Sequence, residues 1–334
     1  MAKIKQYLLL ALTVLTLAFG CFALASCDFF GGTLDANATK GIAYKINEDG
    51  KTASVVGRMG GISTETLTNV VISSTYNGKP VTSIGENAFS GCDSLTSVVI
   101  GDSVTTIGEM AFHACESLTS IFIPDSVTSI GDSAFQYCES LTSVVIPNSV
   151  TTIGKSAFWD CESLTSVVIP DSVTTIGYGV FWGCESLTSV VIPDSVTSIG
   201  PWAFMGCESL TSVVIGDSVT TIGEFAFAGC ESLKSVVIPD SVTTIGRSAF
   251  EDCSSLTSVV IPDSVTTIGR SAFEDCTSLT SVYYKGTAEE WREISIDDDN
   301  DSLTQATRYY YSETAPTEAG NYWHYVNGTP TAWA

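Results

Sequence analysis

Cys92, Cys115, Cys138, Cys161, Cys184, Cys207, Cys230, Cys253 and Cys276 follow one another at intervals of 23 residues without exception. Around them the chain repeats L-T-S-V-V-I-P-D-S-V-T-T-I-G-x-x-A-F-x-x-C-E-S. A fixed period of this size means one supersecondary unit per repeat, stacked on its neighbours. One such unit buries too few apolar side chains to offset the entropy of fixing its own backbone, so the coils fold only as a stack.

Each repeat divides into short pieces. Leu95, Val98 and Ile100 match the L-x-x-L-x-L strand of leucine-rich repeats, with Ser97 and Val99 on the opposite face. Pro or Gly ends the strand, and Asp102-Ser103 supplies turn chemistry, the carboxylate accepting local backbone N–H groups. Val104 and Ile107 turn inward again on a second short strand, Gly108 permits a tight backbone, and Ala111-Phe112 closes the coil with a short helical turn. Cys115 is a small apolar plug. Strands beginning at 67, 95, 118, 141, 164, 187, 210, 233, 256 and 279 make about ten coils. The expected class is α/β and strand-rich: a right-handed leucine-rich-repeat solenoid of 23-residue coils over 67–284, with a cap at each end.

The caps are legible from turn and helix signals. Residues 41–66 predict an N-terminal hairpin turning at Asn47-Glu48-Asp49-Gly50. The first strand, Leu67 to Ile72, is followed by extra residues in Ser73 to Pro80. Residues 285–334 form the C-terminal cap. There, Thr287-Ala-Glu-Glu290 is a capping box opening a short helix through Trp291 and Ile294. A polar loop, Asp297 to Asp301, precedes the strand-like Tyr309-Tyr310-Tyr311, and Asn327-Gly328 marks a hairpin.

The first 26 residues follow another grammar. Lys3 and Lys5 precede an almost unbroken apolar run, Tyr7 to Leu24, which is the layout of a secretory signal, with a transmembrane helix as the alternative. Leu24-Ala25-Ser26-Cys27 resembles the lipobox of bacterial lipoproteins, which implies cleavage before Cys27 and a lipid on its thiol. Cys21, after Phe19-Gly20, fits that pattern less well. Cleavage would remove two lysines and no acid, taking the net charge from −23 to 12 − 37 = −25. Residues 27–40 are expected as the lipidated Cys and a tether, so membrane attachment would rest on acyl chains.

The unit I-P-D-S-V-T-x-I-G-x-x-A-F-x-x-C-x-S-L-x-S-V resembles the BspA-type leucine-rich repeat of bacterial surface proteins, over residues 67–284. The flanks Tyr76-Asn77-Gly78-Lys79-Pro80-Val81 and Tyr283-Tyr284-Lys285-Gly286-Thr287 are similar to the edges of that family. The resemblance implies surface display and adhesion to host proteins or other cells, with Cys27 as the anchor.

A net charge of −23, with no basic stripe, argues against nucleic acid as a partner. The repeat cysteines lack the Cys-x-x-Cys and His context of a zinc site; bridges between neighbouring coils are geometrically conceivable, but an odd set of core-filling positions favours buried free thiols. Carboxylates stack in two columns. One is Asp102, Asp125, Asp171, Asp194, Asp217, Asp240 and Asp263, with Asn148 substituting once; the other is Asp93, Glu116, Glu139, Glu162, Glu185, Glu208 and Glu231. Calcium along them is the lesser reading beside turn capping and solvated charge. Asp297, Asp299 and Asp301 mimic the start of an EF-hand loop whose Gly and final Glu are missing. His113 and His324 stand in unrelated contexts, no serine or threonine has a distinct base, and no phosphate loop is present. Neither an enzyme nor a cofactor is expected.

What remains is surface. The strand face offers Ser97, Val99, Ser120, Phe122, Ser143, Val145, Ser166, Val168, Ser189, Val191, Ser212 and Val214, an uncharged face of hydroxyls and methyls. Variation concentrates in the four slots flanking each Ala-Phe, where the central coils hold Tyr137, Trp159, Tyr178, Trp182, Trp202, Met205 and Phe225. Clustered exposed aromatics mark binding surfaces; the plain alternative is that they drape over the outside and only stabilise packing. The expected function is a surface scaffold or adhesin engaging an extracellular protein or glycan. A structural surface-layer component without a ligand and a carbohydrate-capture lipoprotein are the alternatives.

Overall fold

The structure, a computed structural model, describes residues 34–58, 67–317 and 319–333. The signal segment, Cys21, Cys27 and the last residues of the expected N-terminal cap therefore lie outside the described residues. The chain winds into about ten coils, each contributing rungs to two parallel strand ladders. The first ladder runs from Asn69–Val71 through Ser97–Val99 and its successors to Ser281–Tyr284; the second runs from Lys79–Ile84 through Thr106–Ile107 to Thr267–Ile268 and Ser295–Ile296. Pairing is in register at the 23-residue step, as in Ser143↔Ser166 and Thr221↔Thr244.

The repeat chemistry explains this register. Val98, Ile100, Val104, Ile107, Ala111, Phe112, Cys115 and Leu118 are all buried, and their equivalents in the following coils form one continuous core. Nine phenylalanines from Phe89 to Phe273 stack ring on ring, with centroids 5.2–5.6 Å apart. Two threonine columns stitch neighbouring coils. Thr119, for example, gives both its N–H (2.9 Å) and its hydroxyl (3.0 Å) to the carbonyl of Thr96. Gly108 belongs to a column whose members, Gly177 excepted, have no room for a Cβ; at Gly108 it would lie 2.8 Å from the Ile84 carbonyl oxygen of the preceding coil.

The third edge departs from the expected short helical turn. The residues one before each Ala and two after each Phe adopt left-handed backbone, among them Met110 (φ 50°) and Ala114 (φ 53°). A left-handed residue cannot propagate a right-handed helix. Instead it aims N–H groups along the solenoid axis: Met110, Phe112 and Ala114 donate to carbonyls of Asp132, Ala134 and Gln136 at 2.8–2.9 Å. The edge is thus a third inter-coil ladder built from turns.

Two further expectations need correction. Among the described residues, no N–H of the same turn donates to a carboxylate of the Asp102 column; the backbone hydrogen bond that reaches the column comes from the next coil, Asp217 N–H to Asp194 at 2.9 Å. Its neighbour does the stapling: Ser126, Ser149, Ser172, Ser195, Ser241 and Ser264 each donate a hydroxyl to a valine carbonyl one coil back, at 2.5–2.7 Å. The described part of the expected tether is also packed on the solenoid. Asp35 accepts hydrogen bonds from the Ser74 N–H (2.6 Å) and the Thr75 hydroxyl (2.8 Å), and Thr39 exchanges hydrogen bonds with Val71, so these residues are docked on the first coil.

Both ends of the stack are covered. Ile42–Ile46 and Ala53–Arg58 form an antiparallel hairpin, and the latter strand joins the second ladder beside Lys79–Ile84. The extra residues after the first strand make a small hairpin, Thr75↔Pro80, turning on Asn77-Gly78 at φ 53° and 69°. At the other end the Thr287 capping box opens a helix, Ala288–Glu293. The acidic loop is a plug and not a free loop. Buried Asn300 donates to the carbonyls of Gly269 and Asp297 and accepts the Phe273 N–H at 3.0 Å, ending the third ladder, and a short helix, Asp301–Gln305, follows. Thr307–Tyr311, Tyr322–Val326 and the antiparallel Thr329–Ala332 extend the first ladder.

Each of the two strand ladders has one break, and each break coincides with a departure from the consensus. Strands Ser212–Val214 and Ser235–Val237 do not pair, and there Lys234 stands where other coils carry the stitching threonine. Thr152–Ile153 and Thr175–Ile176 do not pair either. The coil beginning at Ile176 carries Val180 where the others carry Ala. Its two extra methyl groups are fully buried, and the widest phenylalanine spacing, 5.6 Å between Phe158 and Phe181, lies beside them.

Candidate functional site

The variable slots all fall on the third edge, and its left-handed ladder decides how their side chains group. The seven aromatic and methionine positions do not form one patch; they form two tracks, separated by the buried Ala-Phe dipeptides. On the first track Tyr137 meets Trp159 at 6.0 Å, and Trp159 stacks on Trp182 at 4.4 Å with planes 5° apart. Met205 occupies the next position of that column. On the second, Tyr178 meets Trp202 at 4.9 Å, and Trp202 stacks on Phe225 at 5.5 Å.

Sequence reasoning misses a partner at one end of each track. His113 packs edge-on against Tyr137 at 5.4 Å, and the Arg247 guanidinium lies 5.6 Å from the Phe225 ring centre. Both occupy variable slots, so slot position was the available signal. The rings are half-buried, apart from Tyr178, which is exposed.

Three of these residues sit in strained backbone. Tyr137 (φ 60°), Trp202 (φ 56°) and Phe225 (φ 54°) are left-handed, at positions where other coils place mainly Gly, Ser, Asn, Asp or Ala. That conformation costs an L-residue about 1–2 kcal/mol relative to glycine.

Carboxylates border the first track. Asp160, also left-handed at φ 53°, lays its carboxylate over Gly183, where any Cβ would overlap it. Burial, followed by the charges of Glu162, Glu185 and Glu139, pushes its carboxyl above the usual range. Burial and the neighbouring Glu208 and Glu162 raise Glu185 in the same way.

The strand face follows the alternation. Ser97, Val99, Ser120, Ser143, Val168, Ser189 and Val191 are half-buried on the outside, while Ser166, Ser212, Phe122, Val145 and Val214 are exposed, Val214 at 50%. The repeat pattern does not mark its C-terminal extension as surface. Tyr283 stacks on Tyr309 at 5.3 Å, and exposed Tyr311 and Tyr325 lean on buried Trp323 at 5.1 and 4.9 Å. The periodicity stops at Tyr283, so nothing in the pattern puts these rings on the same face.

The repeat cysteines are free and buried. Each thiol from Cys115 to Cys276 donates to a phenylalanine carbonyl of the preceding coil at 3.1–3.4 Å. Burial pushes Cys138 and Cys276 up to about 12, and Cys161, Cys184, Cys207, Cys230 and Cys253 well above the ordinary thiol range. These are structural thiols. Both histidines are held by rings, His324 stacking on Trp333 at 3.7 Å. No cluster of three or more metal-binding side chains occurs among the described residues, nor does any helix there have the length and apolarity to cross a membrane.

Comparison with known proteins places this architecture. The profile described as BspA type Leucine rich repeat region matches in six copies over residues 62–188 and 174–300. A leucine-rich repeat protein from Bacteroides ovatus is 30% identical, with 81% of this chain and 78% of that chain covered and a TM-score of 0.57. A leucine rich cell surface protein from Faecalibacterium prausnitzii is 27% identical over 81% of this chain and 99% of its own, with a TM-score of 0.40. No curated protein matches.

Proposed function

The chain belongs to the BspA-type leucine-rich-repeat family, and from that premise we propose that it is a non-enzymatic binding scaffold held at a bacterial surface through a lipid on Cys27. Its solenoid presents the two aromatic tracks to an extracellular partner. The observation that carries this reading is strain. Tyr137, Trp202 and Phe225 hold bulky rings in left-handed backbone where glycine or asparagine would cost less. Residues kept in costly conformations cluster at functional sites. Selection for stability alone would not place half-exposed aromatics there.

Near-identical repeats elsewhere support the same division of labour. The consensus residues build the stack, and the slots that vary sit together on one edge. The test compares wild type with the triple variant Trp159→Ala, Trp182→Ala, Trp202→Ala for adhesion to an immobilised extracellular-matrix extract. Circular dichroism and urea midpoints verify that the variant folds. Adhesion should fall at least about tenfold, which corresponds to roughly 1.4 kcal/mol. A folded variant with undiminished adhesion removes the tracks from consideration.

A further inference from the structure

The first track has a chemical asymmetry that the second lacks. Between Pro80 and Leu233 the sequence carries seventeen carboxylates and a single lysine or arginine, Lys155. One column of these, from Asp93 through Glu231, places an exposed carboxylate on each of seven successive coils. Each member directly follows a repeat cysteine, so the column runs alongside the slots holding Tyr137, Trp159 and Trp182. The ion pairs found among the described residues, Arg270–Asp299, Lys285–Asp240 and Arg292–Glu289, all lie toward the C-terminal end and do not reach this column.

Asp160 joins the column to the rings. Its carboxylate is pinned over Gly183, next to Trp182 in the chain, and its own chain neighbour is Trp159. Its neighbours in the field are Glu139, Glu162 and Glu185. The result is an indole stack, 4.4 Å between centroids, bordered on one side by carboxylates that none of those ion pairs neutralises.

Charge complementarity selects the occupant. The face of an aromatic ring is electron-rich and attracts cations, most strongly for tryptophan. A guanidinium is planar and weakly hydrated, stacks on such faces, and donates in a fork that matches a carboxylate. An anionic partner would meet both the rings and the carboxylates with the wrong sign. A neutral one would leave the carboxylates unused.

We infer that the Trp159–Trp182 stack and the adjoining carboxylates of Asp160, Glu162 and Glu185 receive an arginine-bearing segment of a partner polypeptide. This rests on the aromatic tracks being the docking surface and adds the chemistry of what docks. The inner faces of Trp159 and Trp182 are turned to each other, so one guanidinium packs on an outer face of the stack with its N–H groups toward the adjoining carboxylates. Further cations of the same segment follow the glutamate column, where a new carboxylate appears at each coil.

The test uses the purified protein and a fluorescently labelled hexa-arginine peptide, with the citrulline hexapeptide as its uncharged counterpart, read by anisotropy at two salt concentrations. The arginine peptide should bind at least about tenfold more tightly than the citrulline peptide and weaken as salt rises. Asp160→Asn, Glu162→Gln, Glu185→Gln combined should weaken it about tenfold, and so should Trp159→Ala, Trp182→Ala. Neutralising three carboxylates of the other column, Asp102→Asn, Asp125→Asn, Asp171→Asn, should weaken it less than about threefold. Trp159→Phe, Trp182→Phe preserves ring faces and guards against a folding artefact, and should retain most of the binding. Equal losses from the two acidic triplets would mean diffuse attraction to an acidic protein and would overturn the inference. So would arginine-peptide binding that ignores the two tryptophans. If the tracks are needed for matrix adhesion while the peptide result fails, the docking surface stands and the cationic partner falls.

Discussion

Raising the pH should unfold this solenoid by way of its own core. Eight repeat thiols, Cys115 to Cys276, are held above the ordinary thiol value, Cys115 first by its hydrogen bond with Cys92 and then by burial, the other seven chiefly by burial. In the folded state they stay protonated as pH climbs; in the unfolded chain they ionise near pH 8.5. A raised folded pKa gives stability that is fully present below the unfolded value and lost as pH rises toward the folded one. Each thiol then removes about 1.4 kcal/mol per pH unit, so eight together remove about 11 kcal/mol per pH unit once unfolded thiols ionise. That is comparable to the whole stability of an ordinary domain, about 5–15 kcal/mol. Urea unfolding followed by circular dichroism in a reducing buffer should therefore show a midpoint that changes little up to about pH 7.5, begins to fall near pH ~8 and falls steeply from about pH 8.5 to 10. The triple variant Cys161→Ala, Cys184→Ala, Cys207→Ala will be weaker at about pH 7.5, yet its alkaline slope should be shallower by about 4 kcal/mol per pH unit. A wild type whose stability is constant to about pH 10, or a variant with an unchanged slope, refutes the reasoning.

Two other perturbations follow from the coil interfaces. Lys234→Thr should close the break in the first ladder by restoring an N–H and a hydroxyl bond to the Thr211 carbonyl, for a gain of about 1–2 kcal/mol; hydrogen exchange should show the amide of residue 234 becoming protected, and an amide that stays fast-exchanging means lysine is not what holds the interface open. Asp160→Asn keeps a residue suited to left-handed backbone while removing a carboxylate that burial and the charges of Glu162, Glu185 and Glu139 disfavour, so stability should rise by a few tenths of a kcal/mol after screening, measured as a higher urea midpoint; a lower midpoint contradicts the assigned strain.

The parts of the fold that repeat are legible in the sequence, and those that do not are harder. The 23-residue step places Leu95, Val98, Ile100, Ile107 and Phe112 in the core because inward positions recur at fixed offsets. Thr287 and Asn327-Gly328 announce a helix start and a hairpin through local chemistry alone. The third edge reads as helical only when Ala-Phe is taken alone. The slot before Ala and the slot two after Phe carry mainly Gly, Ser, Asn, Asp or Ala, and the recurring Gly, Asn and Asp there are the signal for the left-handed backbone that separates its turns from a helix. Asp and Ser both favour turns, and only the proximity of the preceding coil makes Ser126 the staple. The seven slot residues stand out from the sequence as departures from the consensus around Ala-Phe. Their division into two tracks depends on which side of each turn a slot faces, which a linear pattern does not encode. Asn300 hides among Asp297, Asp298, Asp299 and Asp301, whose charge reads as a solvated loop. Its amide carries both donor and acceptor, which is what allows it to end a backbone ladder.

Whether the two aromatic tracks are the docking surface can be read residue by residue by hydroxyl-radical footprinting of the protein, free and bound to an immobilised matrix extract. The prediction is protection of Tyr137, Trp159, Trp182 and Met205 together with Tyr178, Trp202 and Phe225, while Tyr311 and Tyr325 on the strand face oxidise as before. Protection of Tyr311, Tyr325 and Phe122, with the tracks unchanged, would contradict it and move the site to the strand face.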